Sequence, residues 1–161
     1  MSLVFLSYSK ADHFFAELTR IKLEEAGISV WIDGGQLRAG NDWRHEIDQG
    51  ISESFAVILA LSADSAASSY VTYEWASAMG KGKPIIPIRL NECQVHPKLE
   101  AIQYLDFSVP GSLPWSVLVE RVQEIEAENE LPEYDHIAEL ANDTKDSPND
   151  NNPIVESILA Y

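Results

Sequence analysis

The residue best placed to do chemistry is Glu74, in the stretch from Ser62 to Met79. An apolar run, residues 55–61, precedes this stretch, which then opens with small and polar residues. That order predicts a buried strand, a loop and a helix that starts near Ser68 or Ser69. Glu74 would then lie on the first turns of a helix that begins just past the carboxyl end of a strand. Open α/β sheets bind their ligands along that edge, so a carboxylate there could act on a bound molecule.

Helical spacing predicts which way Glu74 points. One apolar face is expected to consist of Val71, Trp75, Ala78 and Met79. Tyr70 and Glu74, four residues apart, would share a different face. We therefore expect Glu74 to leave the core side of the helix. The alternative is that Glu74 is a solvated residue favoured by the dipole of the helix N-terminus.

The elements that must position Glu74 can be read from the apolar pattern. Strands are predicted at Leu3–Leu6, Ile28–Ile32, Ala56–Leu61, Pro84–Leu90 and Ile102–Phe107. Pro87 inside the fourth strand predicts a short or edge-like ladder there. The strands alternate with helical segments, which predicts a parallel sheet with helices on both faces. The expected fold is a flavodoxin-like three-layer α/β fold with strand order 2-1-3-4-5.

The helices and one long loop follow from spacing and composition. Phe14, Leu18 and Ile21 recur at helical spacing up to Gly27. The polar, glycine-rich segment Asp33–Asp42 predicts a loop, and long ordered loops in compact domains are often functional. Asn41 or Asp42 is expected to cap the helix after this loop, in which Trp43, Ile47 and Ile51 form a buried stripe. The last helix carries a further apolar set, which consists of Trp115, Leu118, Val119, Val122 and Ile125.

Charge and length exclude several classes of protein. The chain has 161 residues and a net charge of −15, and it has no Lys/Arg cluster of the kind that binds nucleic acid. Residues 128–161 carry −8 of that charge, so we expect a domain at 1–127 followed by an acidic linker or tail, 128–161, that leads toward a possible further domain. A single cysteine, Cys93, excludes an internal disulfide. With neither a signal-like segment nor a span-length apolar run, we expect a cytoplasmic protein.

Common ligand motifs of doubly wound folds do not occur. The dinucleotide fingerprint, the P-loop and the G-x-S-x-G elbow are missing from the sequence. The acids of a phospho-acceptor receiver domain are also missing after the first and third strands. Cys93 and His96 have a spacing that could hold a metal, but two such residues in a loop are more often incidental. We therefore expect no metal and no resident cofactor.

Three ordered motifs resemble the Toll/interleukin-1 receptor (TIR) domain family. They are Phe5-Leu6-Ser7-Tyr8-Ser9 with Asp12, then Val30-Trp31-Ile32-Asp33 with Leu37-Arg38-Ala39-Gly40, and Ser69-Tyr70-Val71-Thr72-Tyr73-Glu74. The second motif looks like the family's second strand and BB loop. The third is similar to the segment that carries the glutamate of NAD-cleaving members. The resemblance covers roughly residues 2–126 and is closest to prokaryotic TIR domains.

The resemblance implies one of two activities. The first is cleavage of the nicotinamide–ribose bond of NAD⁺, with Glu74 as the essential carboxylate and a linear or cyclic ADP-ribose product. The second is a non-catalytic module for TIR–TIR interaction in signalling, and Tyr70 keeps it open because NAD-cleaving members often have Trp there. A small-ligand sensor without catalysis is a third, weaker possibility. In bacterial relatives the activity typically serves antiphage defence.

The resemblance also implies a substrate site and a mode of assembly. The expected substrate-binding residues are Ser7, Ser9, Lys10, Asp33, Arg38, Trp43 and Tyr70. Ser7, Ser9 and Lys10, at the end of the first strand, are expected to lie near Glu74 across the adjacent strand ends, where they could meet ribose or phosphate. The alternative is that these three are turn and helix-cap residues. Trp31 and Trp43 could stack on an aromatic base, although buried packing is the commoner fate of such residues. Self-association through the BB loop, Asp33–Asp42, is expected to complete or uncover a neighbouring subunit's site.

Overall fold

The computed structural model describes residues 2–32 and 42–131. The chain divides into two compact units, residues 1–130 and 131–161. All described residues except Leu131 belong to the first unit. Residues 33–41 of the predicted loop Asp33–Asp42 and the acidic tail beyond residue 131 lie outside the described residues, so the expectations placed on them stay predictions.

The described residues form a five-stranded parallel sheet with the predicted order β2-β1-β3-β4-β5. The strands are β1 (Leu3–Ser7), β2 (Ser29–Ile32), β3 (Ala56–Leu61), β4 (Ile85–Arg89) and β5 (Leu105–Asp106). This arrangement confirms the flavodoxin-like α/β fold. Because all strands are parallel, their carboxyl ends meet at one edge, and β1 and β3 lie side by side there.

Six helices lie within the described residues. They are α1 (His13–Glu25), α2 (Trp43–Glu53), α3 (Ala63–Ala66), α4 (Ser69–Gly80), α5 (Pro97–Glu100) and α6 (Trp115–Glu130). A 3-10 turn, Lys10–Asp12, precedes α1. Helices α3 and α5 are single turns inside segments for which the sequence predicted only loops. Helix α6 runs past residue 127, where the sequence predicted the domain to end.

The two faces of the sheet carry separate cores, because side chains alternate along each strand. Val4, Leu6 and Ile58 face one layer, where they pack with residues of α1 and α6. Phe5 and Val57 face the other layer, where they meet α2 and α4. Every residue of β3 is buried, as expected for a central strand covered on both faces. This alternation decides which layer receives Ser7, the last residue of β1.

The last two strand predictions are confirmed in part. The fifth strand was expected at Ile102–Phe107, but only Leu105–Asp106 pairs with β4. The fourth strand is interior, with β3 on one side and β5 on the other, but its ladder with β5 is short, as Pro87 predicted. Pro87 is tolerated in it because β5 pairs only with Ile88 and Arg89, so the β5 ladder does not reach Pro87.

The apolar stripe predicted for α1 faces outward. Phe14 is 80% exposed, and Leu18 and Ile21 are also exposed. The helix instead buries Ala16, Thr19 and Leu23, together with part of Phe15. The helix itself was predicted correctly, but the three apolar residues that share this spacing lie on its outer face. Over the described residues, no helix is long and apolar enough to cross a membrane.

Candidate functional site

The site begins at the end of β1. Phe5 faces the layer of α2 and α4, and Ser7, two residues later, faces the same way. The side chain of Ser7 is fully buried, and its hydroxyl donates a hydrogen bond to the carboxylate of Glu74 on α4. The sequence prediction that Ser7 and Glu74 lie close together across the strand ends is therefore confirmed. Their roles in binding or catalysis stay predictions.

Helix α4 begins where the sequence predicted. The Ser68 hydroxyl accepts a hydrogen bond from the backbone N–H of Val71, which satisfies one of the unpaired donors of the first turn. The cap fixes the start of the helix, so Glu74 falls in its second turn.

The prediction that Glu74 leaves the core side of α4 is wrong. Glu74 is only 4% exposed. Val71, Trp75 and Ala78 are buried as expected, and Glu74 stands three residues after Val71 and four before Ala78. It therefore belongs to the buried stripe at helical spacing, next to Trp75. Within the part of the chain that the structure describes, Glu74 therefore does not face an open cleft of the kind that a substrate would need.

An aromatic cluster joins α2 and α4 beside Glu74. The Trp43 ring lies 4.7 Å from the ring of Tyr70 and 5.1 Å from that of Tyr73, measured between centroids. The Arg44 guanidinium lies over Trp43, 4.7 Å from the ring centroid. Tyr70 is 48% exposed, and Trp43 is half-buried. Trp43 and Tyr70, both predicted substrate-binding residues, are thus brought together with part of their aromatic surface accessible.

A polar cluster around Asp48 holds the same two helices together. Asp48 on α2 accepts hydrogen bonds from the Tyr73 hydroxyl at 2.9 Å and the Ser77 hydroxyl at 2.7 Å, both on α4. The Lys81 ammonium lies 3.8 Å from the same carboxylate. These contacts lower the pKa of Asp48, and the Ser77 hydrogen bond is the main cause. Desolvation, followed by the hydrogen bond to Asp48, raises the pKa of Tyr73.

The remaining predicted site residues fall into two groups. Ser9 caps the 3-10 turn by accepting a hydrogen bond from the N–H of Ala11, and Lys10 is exposed at the start of that turn. Their predicted roles in substrate binding stay predictions. Asp33 and Arg38 lie outside the described residues.

Trp31 has no free face for a ligand. Its ring stacks on Phe5 with centroids 4.6 Å apart and an interplanar angle of 14°. On the helix side, a Cβ built on Gly50 would lie only 2.8 Å from the Trp31 ring. The indole is therefore packed between β1 and α2, which confirms the packing alternative for this residue.

A separate hollow of about 690 Å³ lies on the other side of α4. It is walled by α3, Trp75 and the connection between β4 and α5, and Glu74 is not among its lining residues. Cys93 and His96 line it. His96 caps α5 through its Nδ1 atom and lies 5.1 Å from the Trp75 ring, while burial raises the pKa of the Cys93 thiol. The described part of the chain contains no group of three or more potential metal ligands.

The sequence reasoning missed two polar links. The Ser62 hydroxyl donates to the Asp12 carboxylate at 2.6 Å, which ties the turn after β1 to the end of β3. The Asp48 cluster was also missed. The sequence contains a pattern that could have indicated this cluster. Tyr73 and Ser77 place two hydroxyls four residues apart on one predicted helix, and Asp48 follows Ile47 of the buried stripe on another.

Structures of known proteins share this fold. The TIR domain of the Toll-related receptor TRR-2 from Hydra magnipapillata matches with a TM-score of 0.65 and 26% identity, over 74% of this chain and 97% of that one. The TIR domains of the activated Roq1 resistosome, which recognises the pathogen effector XopQ, match with a TM-score of 0.57 and 17% identity, over 77% and 98%. A TIR-STING receptor from C. gigas, solved with 2',3'-cGAMP, matches with a TM-score of 0.60 and 18% identity, over 74% and 38%.

The two matches below 20% identity support the fold alone. No curated protein shows significant similarity to the chain. The family model described as TIR domain matches residues 4–113, which is more than half of the sequence. It spans β1 to the segment before α6 and includes Ser7, Trp43 and Glu74. The chain therefore belongs to the TIR domain family.

Proposed function

We propose that the domain is an NAD⁺ nucleosidase of the prokaryotic NAD-cleaving type. It breaks the nicotinamide–ribose bond and releases nicotinamide together with ADP-ribose or a cyclic ADP-ribose product. The observation that carries the proposal is the Glu74 carboxylate, which the Ser7 hydroxyl holds at the carboxyl edge of the sheet beside the aromatic pair Trp43 and Tyr70.

One carboxylate is sufficient for this reaction. Glycosidases use a second acid to protonate an alkoxide leaving group, but nicotinamide leaves from a cationic pyridinium and needs no proton. The C–N bond breaks with its electron pair going to nicotinamide, and positive charge develops on the ribose. A fixed carboxylate stabilises that charge, most effectively where water is excluded. Water then bonds to the ribose carbon and loses a proton to the solvent, or a nitrogen of the adenine ring bonds to it in a cyclisation.

The surrounding side chains suit the rest of the substrate. The exposed aromatic surface of Tyr70 and Trp43 offers stacking for a base, and Tyr in place of Trp keeps that capacity. We assign Lys10 and Arg38 to the diphosphate and Ser7, Ser9 and Asp33 to the ribose hydroxyls. The Ser7 hydroxyl already donates a hydrogen bond to Glu74 in the described structure.

The burial of Glu74 implies that the described state is inactive. A ribose cannot reach a carboxylate that is 4% exposed until the surrounding segments move. We propose that self-association through the BB loop, Asp33–Asp42, supplies that change. Under this proposal NAD⁺ is a substrate and no resident cofactor is needed.

Incubation of the full chain with NAD⁺, followed by chromatographic identification of the products, tests the proposal. We expect nicotinamide with ADP-ribose or a cyclic product. Because activity requires association, the rate per subunit should rise with protein concentration and then level off. Absence of nicotinamide across that whole range, including conditions where the protein is shown to be assembled, would exclude the enzyme.

The exposed apolar stripe of α1 favours a second function, TIR–TIR interaction without catalysis. Phe14, Leu18 and Ile21 share one side of the helix at helical spacing, and all three are exposed. Exposed apolar side chains clustered on one helix face are typical of protein–protein contact surfaces. This function requires no access to Glu74, so the burial of Glu74 is no obstacle to it.

Association and nicotinamide release, measured together for the wild type and an Arg38→Ala variant, distinguish the two functions. A pure interaction module should lose association by roughly fivefold or more if Arg38 contributes a charged hydrogen bond at the contact, and it should release no nicotinamide before or after the change. Sedimentation measures the association, and the NAD⁺ assay is run on the same samples. A variant at Lys98, an exposed cation on α5, serves as the control for loss of charge alone.

A further inference from the structure

Helices α2 and α4 are linked at two separate levels. The polar level is Asp48, which accepts hydrogen bonds from Tyr73 and Ser77. The aromatic level is Trp43 against Tyr70 and Tyr73. Tyr73 belongs to both levels, since its ring makes a T-shaped contact with Trp43 while its hydroxyl donates to Asp48. The position of Tyr73 therefore couples the two.

The apolar part of the α2–α4 contact fixes the relative position of the two helices less strictly than the hydrogen bonds to Asp48 do. Ile47 and Ile51 on α2 pack near Ala78 on α4, in the same cluster as Phe5 and Val57 of the sheet. Apolar contact is non-directional, so a helix bearing a small residue such as Ala78 can shift by a fraction of an ångström at little cost. Hydrogen bonds depend steeply on distance and angle, so the two bonds to Asp48 fix the register of the helices.

This register matters because the proposed site is divided between the two helices. Trp43 is on α2, whereas Tyr70 and Glu74 are on α4. Glu74 also follows Tyr73 directly in sequence. A shift of α4 along α2 would separate the stacking surface from the carboxylate that has to meet the ribose of the same molecule.

We propose that Asp48 is a positioning residue for the Glu74 site. It holds α4 against α2 through Tyr73 and Ser77, and so sets the distance between the Trp43–Tyr70 stacking surface and the Glu74 carboxylate. Asp48 touches neither the substrate nor the reacting atoms. The inference rests on the proposed NAD⁺ cleavage, which it deepens by assigning substrate positioning to a residue outside the site.

The Asp48→Ala variant should weaken substrate binding more than it slows chemistry. We expect the KM for NAD⁺ to rise about fivefold to tenfold, which is equivalent to losing about one ordinary hydrogen bond from substrate binding. We expect kcat to fall by less than about threefold, because Ser7 holds the Glu74 carboxylate independently of Asp48. Steady-state kinetics of the assembled full chain separate the two constants.

The Asp48→Asn variant is the conservative rescue. An amide oxygen can accept from one hydroxyl while the amide nitrogen donates to the other, so both links to α4 can persist without the charge. KM should return to within about twofold of the wild-type value. Tyr73→Phe is a milder variant that keeps the ring against Trp43 and removes only one hydrogen bond. It should reproduce part of the KM increase if Asp48→Ala fails to fold.

The Trp43 indole N–H resonance gives a readout independent of catalysis. Assigned through a Trp43→Phe spectrum, it should shift in Asp48→Ala and return in Asp48→Asn. Glu53→Ala is the matched control: it removes a carboxylate from the same helix whose recorded partner is Gln49, also on α2. This control should leave both the resonance and the KM unchanged.

The outcomes distinguish failure of the inference from failure of the proposed function. An unmoved resonance in Asp48→Ala overturns the link between the helices, whatever the activity. A moved resonance with unchanged KM overturns the positioning role, as does an Asn variant that behaves like Ala. If the wild-type protein releases no nicotinamide, the proposed function fails and the positioning role falls with it, while the resonance still decides whether Asp48 links the helices.

Discussion

Replacing Glu74 with Gln is expected to reduce nicotinamide release by about 100-fold to 1,000-fold, the usual cost of removing one group that stabilises transition-state charge. Gln has nearly the same shape as Glu, and its amide oxygen can still accept the Ser7 hydrogen bond. The change therefore removes the negative charge while leaving the local packing in place.

The same substitution should leave the domain folded. Burying an uncharged amide costs less free energy than burying a carboxylate, but the amide nitrogen cannot accept a hydrogen bond as the carboxylate oxygen it replaces can. We expect the two effects to offset each other, so that the free energy of unfolding in urea changes by less than about 2 kcal/mol. A larger loss of stability would indicate damage to the fold, and would count against a purely electrostatic role.

The assay compares the initial rate of nicotinamide release for the wild type, Glu74→Gln and Glu53→Gln at a concentration where the wild type is most active. Glu53 is an exposed acid on α2, so its variant controls for the loss of one negative charge. Equal turnover by the wild type and the Glu74 variant would show that Glu74 is not the catalytic carboxylate. Equal loss in both variants would point to net charge rather than to the site.

Replacing Gly50 with Ala is expected to destabilise the domain by about 1–3 kcal/mol, the typical cost of overpacking a core. A Cβ at Gly50 would meet three atoms of the Trp31 ring at 2.8, 3.0 and 3.1 Å. The ring cannot retreat freely, because its other face stacks on Phe5. The penalty should exceed the gain of about 1 kcal/mol that Ala normally brings to a helix interior.

Gly80→Ala is the matched control, since Gly80 also lies in a helix and a Cβ there would meet nothing within 4 Å. It should stabilise the domain by about 0.5–1 kcal/mol. Urea unfolding followed by circular dichroism measures both changes. Shifts of the same sign in the two variants would contradict the close approach of Trp31 to α2.

The sequence determined the sheet and its order. Five apolar runs separated by helical segments allow few topologies, because parallel connections are right-handed and short. The sequence also located the helix that carries Glu74. Ser68 is a strong N-cap residue, so it marks in the sequence where the helix starts. The nearness of Ser7 and Glu74 followed from the same logic, since adjacent parallel strands end at one edge.

Only the tertiary structure decided which faces are buried. Phe14, Leu18 and Ile21 have the right spacing for a core stripe, yet α1 turns them outward and buries Ala16, Thr19 and Leu23. Glu74 was expected outside and is buried, because α4 packs over the end of β1 with its Val71–Ala78 side inward. Spacing fixes which residues share a helix face, but the neighbouring elements determine the rotation of that face, and no local pattern encodes it.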